Sequence, residues 1–548
     1  MVTDKSVLQI NKEDNVLIAL RNLSMGTHIY HHSCRYILLE DIPAKHKFFT
    51  ADLKAGEPVY MYGTVVGKVN KNVKTGALMS VDNTFHATDE FRIGSFAFNW
   101  QKPDVGRFKQ KCFKGFHRSD GKVGTANYWL FIPTVFCENR NLDVIKDALH
   151  QSLGYSNDNK YRNFTRHLIE AFQAGTDPEN VVLDPQPFSP VKKTFANLDG
   201  IKFLNHTGGC GGTRQDAQTL SRLLAAYADH PNVAGITLLS LGCQHLQVAD
   251  FKNDLYQLNQ KFDKPLLIFE QQLALSEEAL IKEAIFETFK QLIETNKQQR
   301  EDAPLDKLCI GVKCGGSDGF SGISANPAVG HCADLLVALG GRVLLAEFPE
   351  LFGAEQQIID RSANEFVAEK FIRLMTEYND LAHNAGSGFH INPSPGNIKD
   401  GLITDAMKST GAVKKAGTSP VVDVLDYGEV ATKTGLNLVC TPENDVEATT
   451  GQVAAGATII LFTTGLGTPT GNPICPTVKI SSNSALASKM NDVIDIDTGG
   501  IISGEHSIEE MGEEILEYCI RVASGEEVPK AVSLNQDDFI PWKRGVSL

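Results

Sequence analysis

The chain has 548 residues, 42% hydrophobic and 22% charged, the composition of a globular protein too long for a single core. Its formal net charge is -14 and it has no long basic run, which disfavours a nucleic-acid or anionic-membrane partner and requires an anionic substrate to be met by locally gathered Lys and Arg. No apolar run approaches a membrane span, no apolar signal region follows Met1, and eleven scattered cysteines point to reduced thiols in the cytosol.

Residues 1–98 are expected to form a small β domain. Leu38-Leu39 and the run 59–67 are short β-prone stretches broken by glycine, and no helical period is visible. A linker is expected near 101–104. The run 128–137 then reads as a strand and a loop, followed by a helix through Leu142 and Ile145. Phe203-Leu204 ends a strand that enters the glycine-rich turn 206–212, before a helix carrying Leu220, Leu223, Leu224 and Tyr227. The run 236–241 is a strand ending at Gly242-Cys243. Ser276 is placed to cap a helix with Glu277 and Glu278 in its first turn, where the helix dipole favours acids; Ile281, Ile285, Phe289 and Leu292 recur at helical spacing. The run 308–312 reads as a buried strand, and 343–346 and 457–462 as further strands. Strands alternating with helices imply parallel sheets covered on both faces. The expected fold is therefore α/β: a small N-terminal β domain (1–98), then two α/β domains with mainly parallel sheets (99–272 and 273–548).

The segment 313–322, Lys-Cys-Gly-Gly-Ser-Asp-Gly-Phe-Ser-Gly, places Cys314, Ser317 and Asp318 on a turn between a strand and a helix. In α/β sheets ligands bind at the carboxyl ends of strands, and four glycines in ten residues let the backbone approach a ligand closely. Cys137, Cys210, Cys243 and Cys314 all end strands or sit on the turns after them, so they could line one cleft. Thiolates there would bind iron or an iron–sulfur cluster, or move protons; a buried cysteine is otherwise a small apolar residue. His206, one loop before Cys210, suits a ligand or a base. Glu350 and Glu355 read as caps or solvent-facing charges, and His46-Lys47 alone as a surface loop. The turn-rich loop 392–397 leads to Lys408 and Lys414-Lys415, and Lys479 follows Pro476-Thr477. Lysines so placed could hold a carboxylate or act as a base. No Walker loop appears, nor a GxGxxG after a strand, so nucleotide chemistry is disfavoured.

At these same motifs the chain resembles the altronate dehydratase and galactarate dehydratase family. The resemblance rests on Ile42-Pro43 with His46-Lys47, which looks like a SAF-type β-clip module, and on Arg118, Asp120-Gly121, Gly124-Thr125 with Asn127, and 133–135. It continues through His206 with Gly209-Cys210, His230-Pro231-Asn232, Leu241-Gly242-Cys243 and 314–327. It ends with Pro349-Glu350, Gly353-Ala354-Glu355, 392–397, 462–465, Pro476-Thr477 with Lys479, and a tail from Asp538-Phe539 to Leu548 like that of the altronate branch. The resemblance implies a hydro-lyase acting on a small sugar acid with iron(II), or another divalent metal such as manganese(II), with an iron–sulfur cluster as the lesser alternative. A base would take the C2 proton of a 2,3-dihydroxy carboxylate, and a protonated group would assist loss of the C3 hydroxyl. On this reading His206, Cys314, Lys408 and Lys479 are catalytic. His46, Lys47, Asn127, Ser317, Asp318 and Asn397 bind substrate, and Cys210, Cys243, His206 and Glu350 hold the metal. D-altronate is the expected substrate, with galactarate or another aldarate as the rival, and a non-catalytic sugar-acid binder as a reading of a different class. A homo-oligomer is expected only by resemblance. The chain departs from the family pattern at Ala126 and Leu466, where arginines are expected, and at Gln244, where a glutamate is. Ser80 and Asp82 stand for a His-x-His before Asn83, leaving Asp82 or His86 to serve any metal there.

Overall fold

The computed structural model describes residues 5–32, 34–88, 91–94, 96, 98–156, 160–183 and 192–547. Leu548, the last residue of the tail motif, lies outside them.

Among the described residues the N-terminal part is a β module without helices, as its glycine-broken runs imply. Val7–Leu8, Val16–Ala19 and Lys47–Phe49 form one antiparallel sheet, His28–His31 pairs with Cys34–Ile37, and Pro58–Met61, Thr64–Val69 and Thr84–Phe85 form a third. One face of this module has no closed core of its own. Val16, Ile18, Phe49, Val59 and Val66 pack with Phe320, Ile323, Leu402, Ile403 and Met407 from the C-terminal layer. At roughly 1.5–3 kcal/mol per large apolar side chain buried, that seam fixes the module on the third layer.

The central sheet is four-stranded and wholly parallel, in the order Gly200–Phe203, Tyr128–Pro133, Val233–Ser240, Leu266–Glu270. Tyr128–Pro133 is buried along its length, which a parallel strand covered on both faces requires. Helices Arg214–Asp229 and Val248–Leu258 cover one face through Leu220, Leu224 and Phe251. Helices Asn139–Leu153 and Glu277–Thr295 cover the other. The Ser276 side chain caps the last of these by accepting from Ala279 N–H, with Glu277 and Glu278 in the first turn. Ala284 and Leu292 of that helix lie in one core with Trp129 and Phe131, so the central layer runs past residue 272 to Thr295. A ribbon of Val123–Gly124, Cys112–His117 and Glu301–Pro304 ties the two ends of this layer together.

The third sheet has seven parallel strands, in the order Val421–Leu425, Gly435–Val439, Arg342–Leu345, Cys309–Cys314, Ile459–Thr464, Thr477–Ser481, Ile496–Asp497. The chain builds outward from Cys309–Cys314 to one edge and then returns to the other side of that strand with Ile459–Thr464. The crevice outside the carboxyl ends of these two strands is a topological switch point, where open parallel sheets bind ligands. At the opposite ends the two α/β layers are bonded together: Thr125 Oγ1 donates to Thr458 O (2.8 Å) and His230 Nε2 to Ala457 O (3.0 Å). Among the described residues no helix is long and apolar enough to cross a membrane.

Candidate functional site

At the switch point the Cys309–Cys314 strand ends on Cys314. Its Sγ stands 2.7 Å from Ser317 Oγ, 3.4 Å from Glu350 Oε1 and 3.9 Å from Asn326 Nδ2. The turn hugs its neighbours because it is glycine. A Cβ on Gly315 would come 2.5 Å from Phe462 Cζ, and Gly316 is left-handed at φ 63°. Asp318, without solvent exposure, anchors the far side. Its Oδ1 accepts from Phe320 N–H, Ser321 N–H, Ser321 Oγ and Ser482 Oγ; its Oδ2 accepts from Asn483 Nδ2 (3.2 Å) and meets the Lys45 ammonium at 2.9 Å. A Cβ on Gly465 would fall 2.3 Å from Asp318 Cγ, so this carboxylate occupies the space that only glycine leaves.

Behind the turn lies a cluster of lysines and carboxylates. Lys313, a buried charge inside an apolar strand, bonds the Glu347 carboxylate, Asp445 Oδ1 (2.7 Å) and Cys314 O (2.8 Å). Lys415 bonds Glu350 and lies 3.6 Å from Glu347. Lys408 bonds Glu443 and Asn392 Oδ1 (2.8 Å) and lies 3.9 Å from Glu350. Charges this deep persist only when compensated. Burial opposes ionisation of Glu350, but Lys415, Lys408 and Lys313 together outweigh it and hold the carboxyl at about 2. Burial and then the Glu350 charge push Glu347 up to about 8, against the pull of Lys313 and Lys415. The same two causes lift the Cys314 thiol to about 11, so it keeps its proton at neutral pH.

Lys479 is the exception. Its strand neighbour Phe462 stands in register with both Lys313 and Lys479, and the Lys479 ammonium sits 3.5 Å from the centroid of that ring. Its one hydrogen bond as donor from Nζ is to Thr470 Oγ1 (3.4 Å), and no carboxylate among the described residues lies within ion-pair distance. Burial drives it down to about 7, with Asp445 opposing only in part. An amine half-deprotonated near neutrality is matched to general-base work.

Cys314, Ser317, Glu350 and Lys408 are thus connected at the carboxyl end of the Cys309–Cys314 strand, with Asp318 anchoring the turn and Asn397 Nδ2 donating to Ser317 O (2.7 Å), while Lys479 stands two strands away, in register with Phe462 and Lys313. His46 and Lys47 touch this region from the β module, each bonding a backbone carbonyl through its side chain; among the described residues His46 Nδ1 is buried without a partner, and burial lowers Lys47 to about 7. His46 Nε2 meets Lys399 O (3.0 Å), and buried Lys47 donates to Gly401 O (2.7 Å). Asn127 is placed elsewhere, before the amino end of the Tyr128–Pro133 strand. Its side chain is used up by Arg118 and by Asn197 O, so it faces no ligand at a carboxyl edge. His206 lies on the central sheet with both ring nitrogens engaged, Nε2 with Pro133 O (2.9 Å) and Nδ1 accepting from Gly208 N–H (3.1 Å). Burial lowers it to about 4, and it holds the glycine turn as a neutral ring, with no nitrogen left for a metal or a proton transfer.

The cysteines do not share a cleft either. Cys137, Cys210 and Cys243 are exposed on turns of the central sheet, and Cys314 is buried at the third. The expected ligand set Cys210, Cys243, His206 and Glu350 is therefore split between two sheets. Among the described residues no three His, Cys, Asp or Glu side chains converge as a metal set. Glu350 and Glu443 are already paired with lysines, and Glu347, pushed up by burial, is bonded by Lys313. These residues do not fit iron(II), which needs several converging donors, nor a cluster held by four thiolates.

Of the departures, Ala126 is buried, Gln244 is spent on Ser240 Oγ and Gly242 N–H, and Leu466 is exposed beside Gly316. Ser80 and Asp82 close a turn, and His86 stacks on Phe352 and faces Asp405 at 3.5 Å. Sequence reasoning missed Lys313, Glu347, Glu443, Asp445 and Lys45. Only Lys313 carried a readable signal, a lysine inside an otherwise apolar strand.

Three family models cover most of the chain. Residues 5–87 match the altronate/galactarate dehydratase SAF domain, and 115–296 the second domain of D-galactarate dehydratase/altronate hydrolase. Residues 305–547 match the C-terminal domain of D-galactarate/altronate dehydratase. Among curated proteins, the chain is 33% identical over 548 residues to "Altronate dehydratase" of Bacillus subtilis (strain 168), covering 99% of this chain and 100% of that one. It is 32% identical over 548 residues to "Altronate dehydratase" of Escherichia coli (strain K12), covering 99% of each. It is 28% identical over 525 residues to "Galactarate dehydratase (L-threo-forming)" of the same organism, covering 94% and 92%.

Proposed function

The chain belongs to the D-galactarate/altronate dehydratase family, and from that premise we propose that it is a hydro-lyase converting D-altronate to 2-keto-3-deoxy-D-gluconate and water, in cytosolic hexuronate breakdown. The observation that carries the chemistry is the contrast between two buried amines of the third layer. Lys479 is poised near neutrality without a counter-ion, while Lys408, buried among carboxylates, is raised and fully protonated because Glu350 and Glu443 outweigh its burial.

The C2 proton of an aldonate is a poor acid beside its own carboxylate. Fixed ammonium groups around the site offset the charge that builds as it leaves, and do so most effectively where water is excluded. The neutral Lys479 amine takes the C2 proton. The Lys408 ammonium hydrogen-bonds the C3 hydroxyl and gives it a proton as the C–O bond breaks, so water departs and the enol tautomerises to the 2-keto acid. The Cys314 thiol, protonated and directed at Glu350, stays out of the proton transfers. No step runs through a metal, because the donor set for one is not assembled. Beside Gly316 of the turn, exposed and apolar Leu466 suits a substrate with one carboxylate better than one with two.

The test is turnover by the purified protein, anaerobic, with and without added iron(II), offered D-altronate and separately D-galactarate, with assay of the 2-keto-3-deoxy acid. Product from altronate is expected. Product from galactarate alone moves the substrate to the aldarates, and binding without product from either overturns the enzymatic reading.

A further inference from the structure

The lysines of the site differ in access and in unused hydrogen-bonding capacity. The Lys313 and Lys415 side chains have no exposure and that of Lys408 is 7% exposed, whereas that of Lys45 is 19% exposed. An ammonium has three protons to donate. Lys313 commits all three, to Glu347, Asp445 and the Cys314 carbonyl. Lys45 commits two, to Asp318 Oδ2 (2.9 Å) and Asp400 Oδ1 (3.3 Å). Burial disfavours its charge, but Asp318 and then Asp400 more than restore it, so it stays an ammonium.

The backbone is built around this placement. Lys45 is left-handed at φ 75°, a conformation that a side-chain-bearing residue adopts at a cost. It is held there by its N–H on Ala19 O (2.8 Å) and by His46 N–H on Pro43 O (3.1 Å). Its carbonyl presses against the third layer where two glycines make room: a Cβ on Gly319 would come 2.6 Å from Lys45 O, and one on Gly401 2.5 Å. On one side of Lys45 the turn carries Asp318, next to Ser317; on the other side His46 and Lys47 fasten the β module to the carbonyls of residues 399 and 401.

We propose that Lys45, contributed by the N-terminal β module, is a substrate-positioning residue whose third ammonium proton receives the carboxylate of the sugar acid, so that the dehydration site is complete only with this module docked. The inference rests on the dehydratase reading above. It gives the strained loop a purpose that docking alone does not, since His46 and Lys47 already provide the attachment.

The experiment compares full-length wild type with Lys45→Met, Lys45→Arg and Lys45→Gly by turnover, by calorimetric titration with D-altronate and D-galactarate, and by thermal unfolding. Lys45→Met is expected to raise KM and weaken sugar-acid binding tenfold or more, with kcat falling less than threefold. Lys45→Arg is expected to recover most of the binding. Lys45→Gly relaxes the left-handed position but, like Lys45→Met, leaves the buried Asp318 carboxylate without its ammonium, so it should unfold below the wild-type temperature and above Lys45→Met while its binding stays weak. Unchanged binding in Lys45→Met overturns the proposal. So does weakened binding that Lys45→Gly restores, because that result makes the residue a backbone matter. A wild type that binds altronate without turning it over sinks the dehydratase reading and leaves calorimetry to judge Lys45.

Discussion

Lys479→Met replaces a buried amine with an apolar side chain of similar length, and the structure assigns it opposite effects on rate and on stability. Without its base the reaction should slow by about 10²–10⁴-fold. In the wild type, with the amine titrating at about 7, kcat/KM should rise about tenfold per pH unit up to pH 7 and then level. Stability runs the other way. Burial lowers the folded-state value from the usual 10.5, so between about 7 and 10.5 the unfolded chain holds a proton that the folded chain has released, and stability climbs with pH. At pH 7 burying this lysine costs on the order of 4 kcal/mol, of which about 2 is recovered by pH 9. The methionine variant should therefore be the more stable protein at pH 7, with an advantage that roughly halves by pH 9. Denaturant unfolding followed by tryptophan fluorescence reads one effect and the 2-keto-3-deoxy acid assay the other. A variant that turns over at the wild-type rate, a flat wild-type profile between pH 5.5 and 8, or no stability gain at pH 7 would each refute the reasoning.

Glu350→Gln keeps the shape of the side chain but strips the charge that compensates Lys415 and Lys408. Breaking a buried pair costs about 3–5 kcal/mol, and Glu347, 3.6 Å from Lys415, returns part of this by ionising, so denaturant unfolding at pH 7 should show a loss of about 2–3 kcal/mol. Gly465→Ala forces a methyl to within 2.3 Å of Asp318 Cγ; overpacking of this kind costs about 1–3 kcal/mol, and turnover should fall further than stability because the turn below carries Cys314 and Ser317. Cys210→Ser combined with Cys243→Ser, and separately exhaustive chelation, should leave the unfolding temperature and the bound-metal content unchanged. A loss of metal with either cysteine would show that the central-sheet thiols do hold one.

The apolar runs at 128–137, 308–312 and 457–462 read directly as strands, because a strand buried on both faces needs no alternation. The turn after Cys314 was legible for the same reason, as glycines and polar residues placed where such a strand must stop. The charge cluster was not. Lys313 sits inside one strand, Lys408 inside a helix, and Glu347, Lys415, Glu443 and Asp445 on segments far apart in sequence, so only the tertiary fold brings them together. The cysteines failed in the opposite sense: four similar positions in four strand–turn units look equivalent in sequence, yet two sheets share them out. His206 looked free for chemistry because its partners, the Pro133 carbonyl and the Gly208 N–H, are backbone groups that leave no mark on residue identity. The helix from Glu277 showed its apolar face clearly, but periodicity does not say which of two sheets that face will cover.

The seam between the β module and the third layer also bears on how the chain is made. Val16, Ile18, Phe49, Val59 and Val66 leave the ribosome long before Phe320, Ile323, Leu402, Ile403 and Met407, which complete their core. Until then the first-synthesised module carries an uncovered apolar face, the kind of surface on which nascent chains aggregate or recruit chaperones. Its final docking waits for the synthesis of the layer it covers, so the module emerges first and matures late.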